Sequence, residues 1–354
     1  MTFMRSILNP LIRPEDVLPS NSEMEVIGVF NPGVAQYRGE TVLLVRVAER
    51  PKQLDATHIA VPVFDPVDRN IGVQSFVKAD PENDSSDVRV LRTRHRDYLT
   101  SISHFRLARV LADGSISVDA RPAMMPNTAY ETYGIEDPRI TEIDGTYYIT
   151  YSAVSDRGIV TVLARTLDFI EFLRLGIIFH PDNKDVALFP GTIDGRFYAL
   201  HRPSTSTYGS PEIWLAESPD LLHWGNHQRL MGVRPGQWDS HRIGAGAVPF
   251  LTADGWLEIY HGADENNRYC LGAVLLDRDA PWKVIARTTE PLLLPAAPYE
   301  AEGFYPNVVF SCGAVCVDDR VTVFYGAGDS TVASAQISLV DVLNVLDASP
   351  AISA

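Results

Sequence analysis

One pattern of apolar and polar positions recurs along the chain. A turn carrying Gly or Asp leads into a stretch where apolar and aromatic residues alternate with smaller or polar ones. The copies are Arg38-Gly-Glu-Thr-Val-Leu-Leu-Val-Arg46, Asp144-Gly-Thr-Tyr-Tyr-Ile-Thr-Tyr-Ser152 and Asp194-Gly-Arg-Phe-Tyr-Ala-Leu-His-Arg202. Two more are Asp254-Gly-Trp-Leu-Glu-Ile-Tyr-His-Gly262 and Asp318-Asp-Arg-Val-Thr-Val-Phe-Tyr-Gly326. Alternation rich in Tyr, Val and Ile is strand chemistry, and Asp-Gly is a strong hairpin turn. Each copy is followed by a further apolar strand with a small residue: Leu107-Ala108, Leu163-Ala164, Leu215-Ala216, Leu271-Gly272 and the degenerate Val332-Ala333-Ser334-Ala335. The paired motifs predict five units of one architecture.

The interval between the first two copies is long. It holds a polar, charge-rich insertion, Pro51 to Ser103, which predicts one unit with an insert. Helical periodicity is scarce and centres on Val340 to Leu346. Radially repeated four-stranded sheets leave little edge exposed. The expected fold is therefore all-β, a five-bladed β-propeller, in preference to a sandwich or solenoid. It forms a single domain over residues 1–354, with the insertion at about 51–103 and a short C-terminal tail. If each Asp-Gly strand is the first of its blade, its C-terminal end faces the central funnel. Those ends deliver Arg46, Glu49 and Arg50; Tyr151 and Ser155; His201 and Arg202; His261 and Asp264; Tyr325 and Asp329. A ring of mixed cations, acids and histidines suits a polar, partly anionic ligand.

Charge narrows the ligand. The formal net charge is −15, which argues against a nucleic-acid partner. An anionic ligand would need a local cluster of Arg, Lys or His. Arg46, Lys184, Arg202 and His261 are candidates; Arg offers a planar fork to phosphate oxygens and Lys a point charge. Cys270, Cys312 and Cys316 are too few and too scattered for a disulfide framework or zinc site, and read as buried or half-buried free thiols. Met1 to Pro14 carries no apolar segment of signal length, and no window approaches a membrane span, so the expected compartment is the cytoplasm. No dinucleotide fingerprint or phosphate loop is present.

The acids centre on Tyr133-Gly-Ile-Glu-Asp-Pro-Arg139. Pro138 biases Asp137 toward an extended or turn conformation. Asp137, Asp329 and Glu49 could contact sugar hydroxyls or transfer protons. Glycoside cleavage needs a proton donor for the leaving oxygen, and hydrolysis usually adds a second carboxylate. Phosphorolysis omits that second acid, because inorganic phosphate is already a nucleophile. One acid plus a cationic cluster is thus the minimal set for an inverting phosphorylase. The five Trp residues read as packing before they read as sugar platforms. Gly244-Ala-Gly246 suggests close backbone approach.

These motifs together resemble glycoside hydrolase family 130, the β-mannoside phosphorylases and related β-mannosidases. The matching stretches are Asn31-Pro-Gly33, Leu44-Val-Arg-Val47, Gly134-Ile-Glu-Asp-Pro-Arg139, Asn183-Lys-Asp-Val-Ala-Leu-Phe-Pro190 and His201-Arg-Pro203. Further on they are Trp238-Asp-Ser240, Ile243-Gly-Ala-Gly246, Tyr260-His-Gly262 and Tyr325-Gly-Ala-Gly-Asp329. The resemblance implies Asp137 as general acid, acting through the mannose 3-hydroxyl. It implies Asn31, Arg46 and Asp329 as mannose ligands, and Lys184, Arg202 and His261 as phosphate ligands. It implies no metal or organic cofactor, inorganic phosphate as co-substrate, a β-mannoside as partner, and α-mannose 1-phosphate as product. No nucleic acid or membrane partner is expected; a homo-oligomer is left open. Ala48-Glu49-Arg50 departs from the Glu-Asp-Arg usual in the phosphorylases, and the insertion is also unusual. The alternatives are a β-mannoside hydrolase using Glu49 or Glu302 as second acid, a non-catalytic glycan-binding or protein-binding propeller, and a furanoside-cleaving enzyme of the same fold.

Overall fold

The computed structural model describes residues 2–53, 55–204 and 208–349; the last five residues of the expected tail lie outside it. The fold is all-β. Its strands form five antiparallel meanders. The first comprises Met24–Tyr37, Glu40–Pro51, Ile102–Val110 and Ile116–Val118. The second is Gly134–Ile143, Thr146–Ser155, Gly158–Thr166 and Leu173–Phe179. The third is Asn183–Ile193, Arg196–Pro203, Ile213–Ser218 and Gly225–Met231. In the fourth, Arg242–Gly244 and Phe250–Leu251 share the leading position before Trp256–Ala263, Tyr269–Leu276 and Val284–Arg287. The fifth is Val309–Val317, Arg320–Ala327 and Thr331–Ser338, completed by Met4–Arg5 from the other end of the chain.

The Asp-Gly strands are therefore the second of each meander, not the first. An Asp-Gly hairpin needs a strand before it as well as after it. The lead strands escaped notice because register shifts interrupt their alternation, at Phe30/Gly33, Glu136/Arg139, Lys184/Ala187 and Ser311/Gly313.

Both faces of the second strands are buried, and their period of two sends neighbours to opposite sides. Val42 and Leu44 join an apolar cluster with Ile135, Ile149 and Val162 of the second meander. Leu43, Val45 and Val47 join another with Phe324 and Val332 of the fifth. Among the described residues, similar clusters lie between the second and third, third and fourth, and fourth and fifth meanders. Each meander thus buries one face on the preceding meander and one on the following.

The insertion folds as two hairpins, His58–Asp65 with Asn70–Val77 and Val90–Arg92 with Asp97–Leu99. It stands between the second and third strands of the first meander and packs through Val61, Leu91 and Tyr98 on Tyr133 and Val154. The C-terminal helix is Leu339–Asp347. Among the described residues no helix is long and apolar enough to cross a membrane. Cys270 and Cys312 are buried free thiols as expected, but Cys316 is exposed, near the Asp318-Asp319 hairpin turn.

Candidate active site

Three lead strands share one local distortion. Asn31, Asp137 and Asp185 each stand at a register shift with φ of 47°, 54° and 55°. Asp137 is thus in the left-handed region, not extended. Asn and Asp tolerate that region better than most residues. The extra residue of such a bulge re-aims its side chain out of the strand's alternation. Asp329 follows the same rule at φ 48° in the turn after Arg320–Ala327. All four line one cavity of about 260 Å³.

Arg46 organises the acids. Its Nη1 donates to Asp137 Oδ1 at 2.9 Å and its Nη2 to Glu136 Oε1 at 2.7 Å, while Nε donates to Ser103 Oγ at 3.0 Å. The guanidinium lies over Phe30, 4.6 Å from the ring centre. Asn31 Nδ2 donates to Asp137 Oδ1 at 2.9 Å, and Asn31 Oδ1 is buried without a partner among the described residues. Burial pushes the Asp137 carboxyl up, but Arg46, Lys184, the Asn31 amide and Arg139 outweigh it and hold it below the usual carboxylate range. Asp329 behaves oppositely. Burial pushes it up to about 6, and the neighbouring charges of Asp137 and Glu136 add to the rise against the pull of Arg46.

A cationic wall faces these acids. Lys184, Arg202 and Arg242 line the same cavity. Asp185 holds this wall in place. Its Oδ2 lies 3.0 Å from Arg202 Nε and 3.3 Å from His261 Nε2, and its Oδ1 accepts from Arg139 Nη2 at 3.1 Å. Burial would raise Asp185, but Arg202, His261 and Arg139 hold it far below the usual range. Arg139, itself buried, also donates to the backbone carbonyls of Asp137, Ala245 and Gly246. The proton-bearing candidate and the cationic wall thus share one buried guanidinium. Among the described residues, Arg202 Nη1 and Arg242 Nε are buried and have no hydrogen-bond partner. A buried guanidinium left short of acceptors is costly.

The cavity brings together Asn31, Arg46, Asp137, Lys184, Arg202 and Asp329. His261 is not among its lining residues; it is fully buried behind Asp185, 4.2 Å from the Phe310 ring centre, and burial keeps its imidazole below the ordinary value despite Asp185. Glu49 faces away and accepts from Ser20, and Glu302 is exposed outside the lining set. Tyr151 and Tyr325 spend their hydroxyls on Glu131 and Glu300. None of the five Trp residues lines the cavity. The glycine turn does mark close approach: a Cβ on Gly244 would collide with Asp185 Oδ2 and His261 Nε2. Arg242, Tyr269, Arg89 and Tyr305 are cavity residues that the repeat pattern did not single out, being on a short lead strand, a third-strand start, and two loops. Among the described residues no three His, Cys, Asp or Glu side chains converge so as to hold a metal ion.

Residues 88–348 match the glycoside hydrolase family 130 model, described as β-1,4-mannooligosaccharide phosphorylase. The chain belongs to glycoside hydrolase family 130. It is similar to a β-1,2-mannobiose phosphorylase of Listeria innocua, 44% identical over 351 residues, covering 98% of this chain and 99% of that one. The solved structure of the Listeria innocua β-1,2-mannobiose phosphorylase in complex with β-1,2-mannobiose superposes with a TM-score of 0.95 over 98% of this chain and 100% of that chain. A 1,2-β-oligomannan phosphorylase of Thermoanaerobacter is 44% identical over 225 residues, 63% of this chain and 74% of its own length. A β-1,4-mannooligosaccharide phosphorylase of Ruminococcus albus, another family 130 relative, is 35% identical over 215 residues, 59% of this chain and 64% of its own.

Proposed function

We propose that this chain is an inverting β-mannoside phosphorylase, acting on β-1,2-linked mannobiose or short oligomannosides with inorganic phosphate to release α-mannose 1-phosphate. The observation that carries the reading is one cavity lined both by Lys184, Arg202 and Arg242 and by Asp137. The β-1,2 linkage rests on the full-length likeness to the Listeria innocua enzyme. A hydrolytic reading with Glu49 or Glu302 as second acid loses support because neither lines the cavity.

In this reading Lys184 and Arg202, joined by Arg242, hold phosphate below the anomeric carbon. His261 serves the same anion through Asp185, which it flanks. Asn31, Arg46 and Asp329 hold the mannose ring. A phosphate oxygen forms a bond to C1 as the bond from C1 to the aglycone oxygen breaks. Asp137 supplies the proton by way of the mannose 3-hydroxyl. Arg46 and Lys184 hold Asp137 low; a phosphate dianion beside them offsets their charge and raises the carboxyl toward a competent acid. Phosphate is the co-substrate, and the cations place it without a cofactor.

The five meanders are read as the blades of a single five-bladed propeller domain, supported by the five apolar clusters that link each meander to the next and the fifth to the first. A cytoplasmic setting agrees with the chemistry, since a charged sugar phosphate is retained where it is made. The deciding experiment is product analysis with β-1,2-mannobiose, with and without inorganic phosphate. Mannose 1-phosphate formed only with phosphate is the expected result. Equal release of free mannose without phosphate would make the chain a hydrolase.

A further inference from the structure

The cavity has a second wall that the scheme above leaves unused. Arg89, Leu99 and Ser101 come from the insertion, and Phe304 and Tyr305 from the loop after the short helix Pro298–Ala301. They are built onto the sugar-side acid. Phe304 N donates to Ser330 Oγ at 2.8 Å and Tyr305 N to Gly328 O at 3.0 Å, so the loop is pinned to the turn that carries Asp329. The Arg89 guanidinium is raised chiefly by Asp87, with Tyr305 and Asp329 adding smaller contributions.

Arg89 and Tyr305 meet across this wall. The guanidinium lies over the Tyr305 ring, 4.7 Å from its centre. Asp87 fixes the other side of the fork, accepting from Nε at 3.0 Å and Nη2 at 2.9 Å. The backbone is held as well: Thr100 N donates to Arg89 O at 3.0 Å and Thr100 Oγ1 to Val88 O at 2.6 Å. Holding Nε and Nη2 on Asp87 leaves Nη1 as the donor on the far arm. A rigid donor beside an aromatic ring is a good match for a pyranose, which offers hydroxyls at its rim and C–H groups on its face. A long polar side chain fixed in advance also loses little entropy on binding.

We propose that Arg89 and Tyr305 form the recognition site for the leaving sugar, so that the insertion sets which acceptor the enzyme releases and, in reverse, which acceptor it extends. This rests on the phosphorylase reading. Phosphate and the leaving sugar occupy opposite faces of the anomeric carbon in a single displacement. A wall pinned to the turn that carries Asp329, a residue read as holding the mannose, suits the leaving sugar.

The test is kinetic, in both directions, on the full chain. In synthesis from mannose 1-phosphate and mannose, Arg89→Ala and Tyr305→Ala should each raise the KM for mannose about tenfold or more. The KM for mannose 1-phosphate should stay within about twofold, and Tyr305→Phe should restore the acceptor KM. In phosphorolysis the KM for phosphate should not move. Unchanged acceptor KM in both alanine variants, with the wild type active, would overturn this proposal alone. An equal rise for mannose and mannose 1-phosphate would also overturn it, because the residues would then serve the whole cavity. Absence of mannose 1-phosphate from the wild type with every β-mannobiose would overturn the phosphorylase reading itself, and this proposal with it.

Discussion

At the scale of single residues, the site turns on how charge is shared among Arg46, Asp137 and Asp329. Replacing Asp137 with Asn keeps the shape and the hydrogen bond to Asn31 within reach, but removes the transferable proton. The expected loss in kcat is about 10²–10⁴-fold with little change in the circular dichroism spectrum; full turnover by Asp137→Asn would remove this residue as proton donor. Asp329 makes a different prediction. Its folded value is raised to about 6, above that of an unfolded Asp, so the folded state binds the extra proton more tightly. Its contribution to stability is present below about pH 4 and is lost as pH rises from about 4 to 6, by about 3 kcal/mol in total. Denaturant titrations at pH 4, 5, 6 and 7 should show that decline in the wild type relative to Asp329→Asn. Parallel stability curves for the two proteins would mean that Asp329 does not hold the proton.

At the scale of elements, the lead strands matter more than their regularity suggests. Their bulges put Asn31, Asp137 and Asp185 into one cavity from three separate meanders. The same bulges made them hard to see in the sequence. Alternation is what announces a strand, and Asn31-Pro32-Gly33 or Glu136-Asp137-Pro138 breaks it. The regular second strands, introduced by Asp-Gly, were legible at once, and their ends bring Arg46, Arg202 and Asp329 to the cavity, yet others of their terminal polar residues turn elsewhere. Tyr151, Tyr325 and Glu49 were candidates by position on a strand end, and their side chains prove to face other partners. Arg242 and Arg89 carried no periodic signal at all, because their place in the cavity depends on contacts distant in sequence. One glycine tests the element-level view. Gly244 leaves room for Asp185 and His261. Gly244→Ala should cost about 1–3 kcal/mol through overpacking and raise the KM for phosphate more than the KM for the mannoside. Equal KM values with a normal melting temperature would show that the anion wall does not depend on this contact.

At the scale of the whole molecule, stability depends on a join between the two ends of the chain. Met4 pairs with Gln336 and Arg5 with Ala335. Arg5 then spans to Glu300, Nε to Oε1 at 2.7 Å and Nη2 to Oε2 at 2.8 Å. Glu300 is fully buried and also accepts from the Tyr325 hydroxyl and from the N–H groups of Ala296 and Ala297. Arg5→Ala leaves that carboxylate short of its strongest donor, and should lower unfolding free energy by about 1–3 kcal/mol in urea. Stability within about 0.5 kcal/mol of wild type would mean that the join is held by the strand pairing alone. The five-unit organisation was legible because each unit repeats the same local code, whereas this join was not, since Met4-Arg5 is too short to show any period.

The same join has a consequence for the chain while it is being made. The residues that complete the fifth sheet leave the ribosome about 330 residues ahead of their partners in Thr331–Ser338. At about 5–20 residues per second, Met4 and Arg5 wait on the order of 20–70 s for a partner. During that wait the earlier meanders can form in order of synthesis, each covering the apolar face of the one before. The fifth sheet cannot be completed until Thr331–Ser338 has been made. Synthesis therefore leaves the nascent protein with one unsealed edge until Thr331–Ser338 emerges, and that edge is where a chaperone would have most to protect.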